Sequence, residues 1–224
     1  MSWSILCDFD GTVSTVDVTD RLLDTHGRPG WQTLEARWLR GEIGSRDCLA
    51  GQVALLDMSR AELERVLDAI EIDPFFARFA AEAESRGIPL AIVSDGLDLA
   101  IAGVLQRHGL AHLPVRANRF EQVGERHWRL AFPYAERACT SASGNCKCAL
   151  ARAHADADRV LYIGDGASDF CVAPRADRLF AKGKLLEHAR RTGLVCEPLR
   201  TFEQAIAALD RLGQPVAALD DEPA

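Results

Sequence analysis

Long hydrophobic runs are what this chain most plainly lacks. No apolar stretch approaches the roughly 20 residues that a helix needs to cross a bilayer, and the first residues carry no basic segment followed by a signal-type apolar core. No membrane association is therefore expected, and the cytoplasm is the expected compartment. An excess of positive charge is missing too: 33 acidic side chains outnumber 26 Lys and Arg, for a formal net charge of −7. No nucleic-acid-binding surface is expected, although a local cationic pocket for one small phosphate is compatible with that balance. The seven cysteines, an odd number in a chain too large to need staples, read as reduced thiols rather than a disulfide framework. Internal repeats and low-complexity tracts are absent.

What is present is the composition of a soluble globular enzyme, 48% hydrophobic and 26% charged over 224 residues. That length suits one large domain or a domain carrying an insertion. Three short apolar runs stand out: "SWSILCDFDGT" at the start, "IPLAIVSDG" over 88–96 and "RVLYIGDG" over 159–166. Each ends in Asp or Ser-Asp followed by Gly, as a buried strand does when it opens into a turn at the carboxyl edge of a parallel sheet. Ligands of open α/β sheets bind at that edge.

Between the first two runs the pattern is helical. "VDVTDRLLDTHG", "GWQTLEARWLRG", "SRDCLAGQVALLD" and "SRAELERVLDAIE" carry apolar residues at three-to-four spacing, and Ser59 with Glu62 has capping-box spacing. The expected architecture is thus α/β: a Rossmann-like parallel sheet flanked by helices, formed by 1–14 and 73–212, with an inserted helical-bundle cap over 15–72. Helices are expected over 74–87, ended by Gly87, over 97–109, and from Lys147; two short strands flank a turn at Gly124. The acidic, Pro-containing residues 213–224 read as a frayed tail.

Four pieces line up at the strand ends: Asp8 and Asp10, then Ser94, then Lys147, then Asp165 with Asp169. Side chains two apart on a strand point the same way, so Asp8 and Asp10 are expected to share a pocket, where two bare carboxylates repel unless a cation or a proton intervenes. Mg²⁺ fits, since it takes a few carboxylate or carbonyl oxygens and keeps its other positions for water and substrate phosphate. Asp165 adds a carboxylate, Lys147 balances charge and Ser94 offers a hydrogen bond to a phosphoryl oxygen.

Other readings of the same residues stay open. Lys182 and Lys184 compete with Lys147, though both suit a helix start or a solvated face. Asp169 fits the N-cap of a helix beginning near Phe170, and Ser94 a plain turn hydroxyl. Cys139, Cys146 and Cys148, spaced C-x6-C-x-C with His154 nearby, invite a structural zinc, but the spacing is not a standard zinc pattern and buried thiols suit it better.

The ordered set "DFDGT" (8–12), "SDG" (94–96), Lys147 and "GDGASD" (164–169) resembles the haloacid dehalogenase superfamily. The resemblance implies that Asp8 is a nucleophile forming a transient aspartyl phosphate and that Asp10 is the acid/base. It also implies that Ser94, Asp95 and Gly96 hold phosphate and that Asp8, Asp10, Asp165 and Asp169 surround Mg²⁺. A helical insertion after the first motif is similar to the branch containing phosphoserine phosphatases and methionine-salvage phosphatases acting on 2-hydroxy-3-keto-5-methylthiopentenyl-1-phosphate. Asp17 and Gln52 are the candidate cap contacts. Gln52 stands where phosphoserine phosphatases place an Arg for the substrate carboxylate, and "CTSASGNCKCAL" (139–150) with "FAKGKLLEHARRTGL" (180–194) is similar to the methionine-salvage group. The expected function is Mg²⁺-dependent hydrolysis of a small phosphorylated metabolite, most like that group. Phosphoserine or another amino-alcohol phosphate, and non-catalytic phospho-ligand binding, are the alternatives.

Overall fold

The structure, a computed structural model, describes residues 2–139, 141–153 and 159–212; the expected tail lies outside them. The first apolar run forms β1 (Trp3–Cys7), which sits mid-sheet between parallel partners because both of its faces are apolar. Ile5 and Cys7 pack into one core and Leu6 into the other. Four helices follow: α1 (Val18–His26), α2 (Trp31–Leu39), α3 (Ser45–Ala54) and α4 (Arg60–Asp68). The rest of the chain gives α5 (Phe76–Ser85), β2 (Leu90–Leu97), α6 (Asp98–Arg107), β3 (Val115–Gln122), β4 (Trp128–Ala131), α7 (Lys147–Ala153) and β5 (Arg159–Gly164). It closes with β6 (Arg178–Ala181), α8 (Gly183–Thr192), β7 (Glu197–Pro198) and α9 (Phe202–Leu209).

The seven strands form one sheet in the order β4-β3-β2-β1-β5-β6-β7, parallel except for the β3–β4 hairpin. Register places Cys7 beside both Ile92 and Ile163, so Asp8, Ser94 and Asp165 all leave the sheet at the same edge. The two outer parallel strands, β6 and β7, had no counterpart in the sequence pattern.

Local chemistry explains the helix ends. Asp17 caps α1, its side chain accepting from the Asp20 N–H at 3.0 Å, and Ser59 with Glu62 closes the capping box that opens α4. In α5 the buried Phe76, Phe79, Ala80 and Ala83 share one face, and Phe202 of α9 meets Phe76 edge-on at 4.9 Å; each buried Phe contributes about 1.5–3 kcal/mol. Gly87 adopts φ +65° just beyond α5, and its N–H bonds the Glu84 carbonyl.

The four-helix segment leaves and re-enters the sheet layer at one point. Thr15 N–H donates to the Glu71 carbonyl and Asp73 N–H to the Val13 carbonyl. Three contacts fix its seat: Trp128 Nε1–H to the Met58 carbonyl at 2.8 Å, Arg126 to Asp57 and Glu62, and Ser45 Oγ–H to Asp95 Oδ2 at 2.8 Å. One helix is missing where it was expected. The chain forms two 3₁₀ turns, 167–169 ending at Asp169 and 173–175 beyond it, instead of a helix from Phe170. Asp169 turns its carboxylate back onto the N–H groups of Asp165 and Gly166, and Pro174 lacks the N–H an α-helix would use.

Candidate active site

Asp8 follows β1 directly, Lys147 opens α7 and Asp169 lies in the turn after β5. The Lys147 ammonium, buried to 1% exposure, sits 2.7 Å from Asp8 Oδ2 and 2.6 Å from Asp169 Oδ1 and donates to Ser168 Oγ at 3.0 Å. Burial opposes its charge, but Asp169 and then Asp8 outweigh that and hold it protonated well above the usual lysine range. Asp169 is saturated: one oxygen takes Lys147 and the Tyr162 hydroxyl at 2.5 Å, the other the N–H groups of Asp165 and Gly166, each at 3.0 Å. A buried charge so bonded is tolerated where a bare one is not.

Asp8, Asp165 and Asp169 each place an oxygen within 4.8 Å of the other two. Burial first, then Asp169, pushes both Asp8 and Asp165 above the usual carboxylate range. Crowded carboxylates whose charge is that disfavoured match a divalent cation with hard oxygen ligands. The Asp10 side chain stands apart from this group. Its Oδ1 accepts from the Val18 N–H at 2.8 Å and its Oδ2 lies 3.4 Å from Ser94 Oγ. Burial raises it to about 6, against the lowering effect of the Val18 bond.

Two glycines of the motifs are explained by these carboxylates. A Cβ on Gly11, which also has φ +69°, would lie 2.4 Å from Asp165 Oδ2, and a Cβ on Gly96 would lie 2.4 Å from Asp10 Oδ2. Only glycine lets the loops close on the acids.

Above the group opens a cavity of about 390 Å³, bounded below by the strand ends and above by α1, α2 and α3. Every sequence-predicted site residue except Lys147 and Asp169 lines it; those two lie beneath, behind Asp8. Asp95 faces the cavity with a committed carboxylate, bonded by Ser45, by Asn118 at 3.1 Å and by the Asn145 N–H at 2.8 Å. Any contact it makes with phosphate falls to its backbone. Asp17 presents one face to the cavity; burial of the rest and then Asp10 raise it to about 7. Gln52, 4% exposed, donates through Nε2 to Glu35 Oε2 at 3.0 Å.

Several participants escaped sequence reasoning. Glu35 lines the cavity, and Tyr162, Asn118 and Asn145 support it from below. Lys184 lies on the cavity wall rather than on a plain solvated face, whereas Lys182 donates to the Thr12 carbonyl at 3.3 Å. All seven cysteines are free thiols. Among the described residues Cys139, Cys146 and Cys148 do not converge as metal ligands; His154 lies outside the described residues.

Comparison with known proteins agrees with this geometry. Residues 5–174 match the family model described as haloacid dehalogenase-like hydrolase. Two curated relatives are named 2-hydroxy-3-keto-5-methylthiopentenyl-1-phosphate phosphatase. That of Geobacillus kaustophilus is 32% identical, covering 93% of this chain and 96% of its own; that of Exiguobacterium sp. is 30% identical, covering 90% and 94%. A solved substrate-bound phosphoserine phosphatase complex superposes with a TM-score of 0.71 at 20% identity, over 92% of this chain and 98% of that one. A family hydrolase from Salmonella enterica serovar Typhi does so at 0.75 and 19%, over 94% and 72%. The chain belongs to the haloacid dehalogenase-like hydrolases. Within them it is a phosphatase, a hydrolase of phosphoric monoesters.

Proposed function

We propose that the chain hydrolyses a small phosphorylated metabolite with Mg²⁺ through an aspartyl-phosphate intermediate, and that its substrate is of the methionine-salvage type, 2-hydroxy-3-keto-5-methylthiopentenyl-1-phosphate. The observation that carries the chemistry is the buried Lys147 clamped between Asp8 and Asp169 at the floor of an open cavity. Asp8 attacks phosphorus, with Lys147 neutralising charge beside it. Asp10 gives its proton to the leaving oxygen and then takes one from the hydrolytic water, a double duty suited to a carboxyl raised to about 6. The Ser94 hydroxyl and the backbone of Asp95 and Gly96 hold the phosphoryl oxygens. Asp8, Asp165 and the Asp10 carbonyl would hold Mg²⁺ directly and Asp169, whose oxygens are taken, through water; the ion when bound supplies positive charge against the phosphoryl oxygens. The four-helix segment over 15–72 acts as the cap, and the Val18 N–H on Asp10 ties the acid/base to it.

Two observations support the methionine-salvage substrate over phosphoserine. The curated relatives carry that name across nearly their whole lengths, and among the described residues no arginine lines the cavity to grip a carboxylate, Gln52 being spent on Glu35. Phosphate release from a panel of small phosphomonoesters, with and without Mg²⁺, tests the reading. Turnover is expected to require Mg²⁺ and to fall by roughly 10⁴-fold or more in Asp8→Asn, the scale for loss of a nucleophile. Unimpaired turnover by that variant would remove Asp8 from the reaction.

A further inference from the structure

We infer that Cys139 and Cys146 form a reversible disulfide when the protein meets a peroxide, and that this bond switches the phosphatase off by displacing the chain that carries Lys147. The inference goes beyond the proposed function, and only its activity readout rests on the phosphatase reading.

Lys147 is flanked in sequence by Cys146 and Cys148, and both thiols lie in an apolar cluster against which Cys139 packs. The chain between Cys139 and Lys147 is held at both ends: the Ala142 N–H donates to the Cys139 carbonyl and the Cys146 N–H to the Tyr134 carbonyl, each at 3.1 Å. The side chains of Cys139 and Cys146 meet there, thiol hydrogen-bonded to thiol. Cys139 is half-buried, its sulfur 3.1 Å from Ser143 Oγ, whereas Cys146 is only 3% exposed. That division gives one thiol an oxidant reaches first and a sheltered neighbour that resolves the product. Burial opposes ionisation of Cys139, but the Ser143 hydroxyl and the N–H groups of Ser143 and Ser141 outweigh it and hold the thiol below the usual range. Cys48, on the cavity wall, is instead pushed up to about 12 by burial and then Glu35. Because the thiolate is the reactive form, peroxide selects Cys139 over Cys48.

The Cys139 thiolate attacks one oxygen of hydrogen peroxide, breaking the O–O bond and releasing hydroxide, and becomes a sulfenic acid. The Cys146 sulfur then displaces the sulfenic hydroxyl, which leaves as water with the Cys146 proton as the S–S bond forms. Two electrons pass from the thiols to the peroxide, and the hydroxide takes up the proton Cys139 had lost, so one peroxide ends as two waters. An S–S bond is about 2.05 Å long, well inside the separation of two hydrogen-bonded thiols, so closing it moves the chain at one end or both. Beside Cys146, Asn145 bonds the Asp95 carboxylate through its N–H at 2.8 Å and the Ser94 carbonyl through its side chain at 2.8 Å, and Lys147 reaches Asp8 and Asp169. Nearer Cys139, the Ala142 carbonyl accepts from the Arg46 N–H of α3 at 3.2 Å, and a Cβ on Gly44 would lie 2.7 Å from that of Ala142. A shift at one end displaces Lys147 and the Ser94 turn; a shift at the other unseats α3 from above the cavity. Displacements on the order of 1 Å in such groups cost about 10²-fold in rate.

The test takes the full chain, reduced and then freed of reductant, treats it with hydrogen peroxide, and follows peptide mass and p-nitrophenyl phosphate turnover with Mg²⁺. A Cys139–Cys146 link that dithiothreitol reverses is expected, with kcat/KM about tenfold or more lower in the linked protein and restored on reduction. Cys139→Ser is expected to keep the basal rate and to resist the oxidant. Cys146→Ser, which cannot resolve the first product, is expected to hold Cys139 as a sulfenic acid that dimedone labels. Links through other cysteines, or none, overturn the site. A Cys139–Cys146 link with the rate unchanged overturns the switch, as does a loss of activity that persists undiminished in Cys139→Ser. No hydrolysis by the reduced chain overturns the phosphatase reading and the switch with it, while the peptide masses still decide the disulfide.

Discussion

The acids at the strand ends and the acids on the four-helix segment live under opposite conditions. Asp169 is fully buried with four donors on two oxygens, and Asp8 is 4% exposed between Lys147 and the Phe9 N–H. Asp17 and Asp20, by contrast, keep more than a third of their surface open although their carboxyl groups are partly buried, and the half-buried Glu35 is held by Gln52 and a long Cys48 contact. The first set is fixed before any ligand arrives; the second keeps bonding capacity in reserve. A site divided this way holds its chemistry constant at the sheet edge while the helices adapt to the molecule being read.

The strongest way to break the comparison is to weaken the lower set. Asp169→Asn removes one of the two carboxylates facing the buried Lys147 and sets an amide against donors. Stability is expected to fall by about 3–5 kcal/mol, the cost of breaking a buried pair, read as a lower urea midpoint at unchanged slope. Asp20→Asn on the upper set should stay within about 0.5 kcal/mol, as exposed sites do. Comparable losses in the two variants would erase the distinction.

A subtler change acts on position rather than charge. Gly96→Ala places a methyl where Asp10 Oδ2 now lies, 2.4 Å from the built Cβ. The acid must shift, and misplacement on the order of 1 Å is expected to lower kcat about 10²-fold with a smaller change in KM. An unchanged kcat would show that the Asp10 carboxylate is not held where the reaction needs it.

Much of the lower set was legible in the sequence because parallel strands announce themselves. "SILCDFDGT", "AIVSDG" and "VLYIGDG" are apolar runs that stop at acids, and a shared register then brings those acids together. Lys147 was legible as the start of a helix before the last run. β6 was not, because Arg178–Ala181 is too short to show a period and opens with a charge that Glu197 satisfies from β7. Glu35 was hidden, and Lys184 read as a helix-start or solvated-face residue, for another reason: a polar residue facing a cavity looks the same in sequence as one facing water. Tyr162 lies inside an apolar run that reads only as a buried strand, and only the fold shows its hydroxyl on Asp169.

The smallest expected effect concerns pH, in protein freed of divalent cations. Asp10, Asp17 and Asp20 are raised to about 6, 7 and 6, by burial in each case, with Val18 opposing at Asp10 and neighbouring acids adding at the others. Their unfolded values lie near about 3.9. A carboxyl raised in the fold contributes stability that is fully present below its unfolded pKa and is lost as pH rises through the folded one. The metal-free chain should therefore melt at a lower temperature at pH 8 than at pH 5.5, most of the drop falling below pH 7. Glu62, lowered to about 2 by bonds from Ser59 and Arg126, changes only well below this window and does not confuse it. Asp17→Asn should flatten part of the slope, modestly, because water reaches its open face and screens the repulsion. Mg²⁺ added at pH 8 should raise the melting temperature more than at pH 5.5, because protons compete more strongly at low pH for Asp8 and Asp165, whose hold on them burial raises. A melting temperature that climbs from pH 5.5 to 8 without metal would mean that the upper acids are relaxed in water rather than crowded, and that the reserve of bonding capacity ascribed to them is already spent.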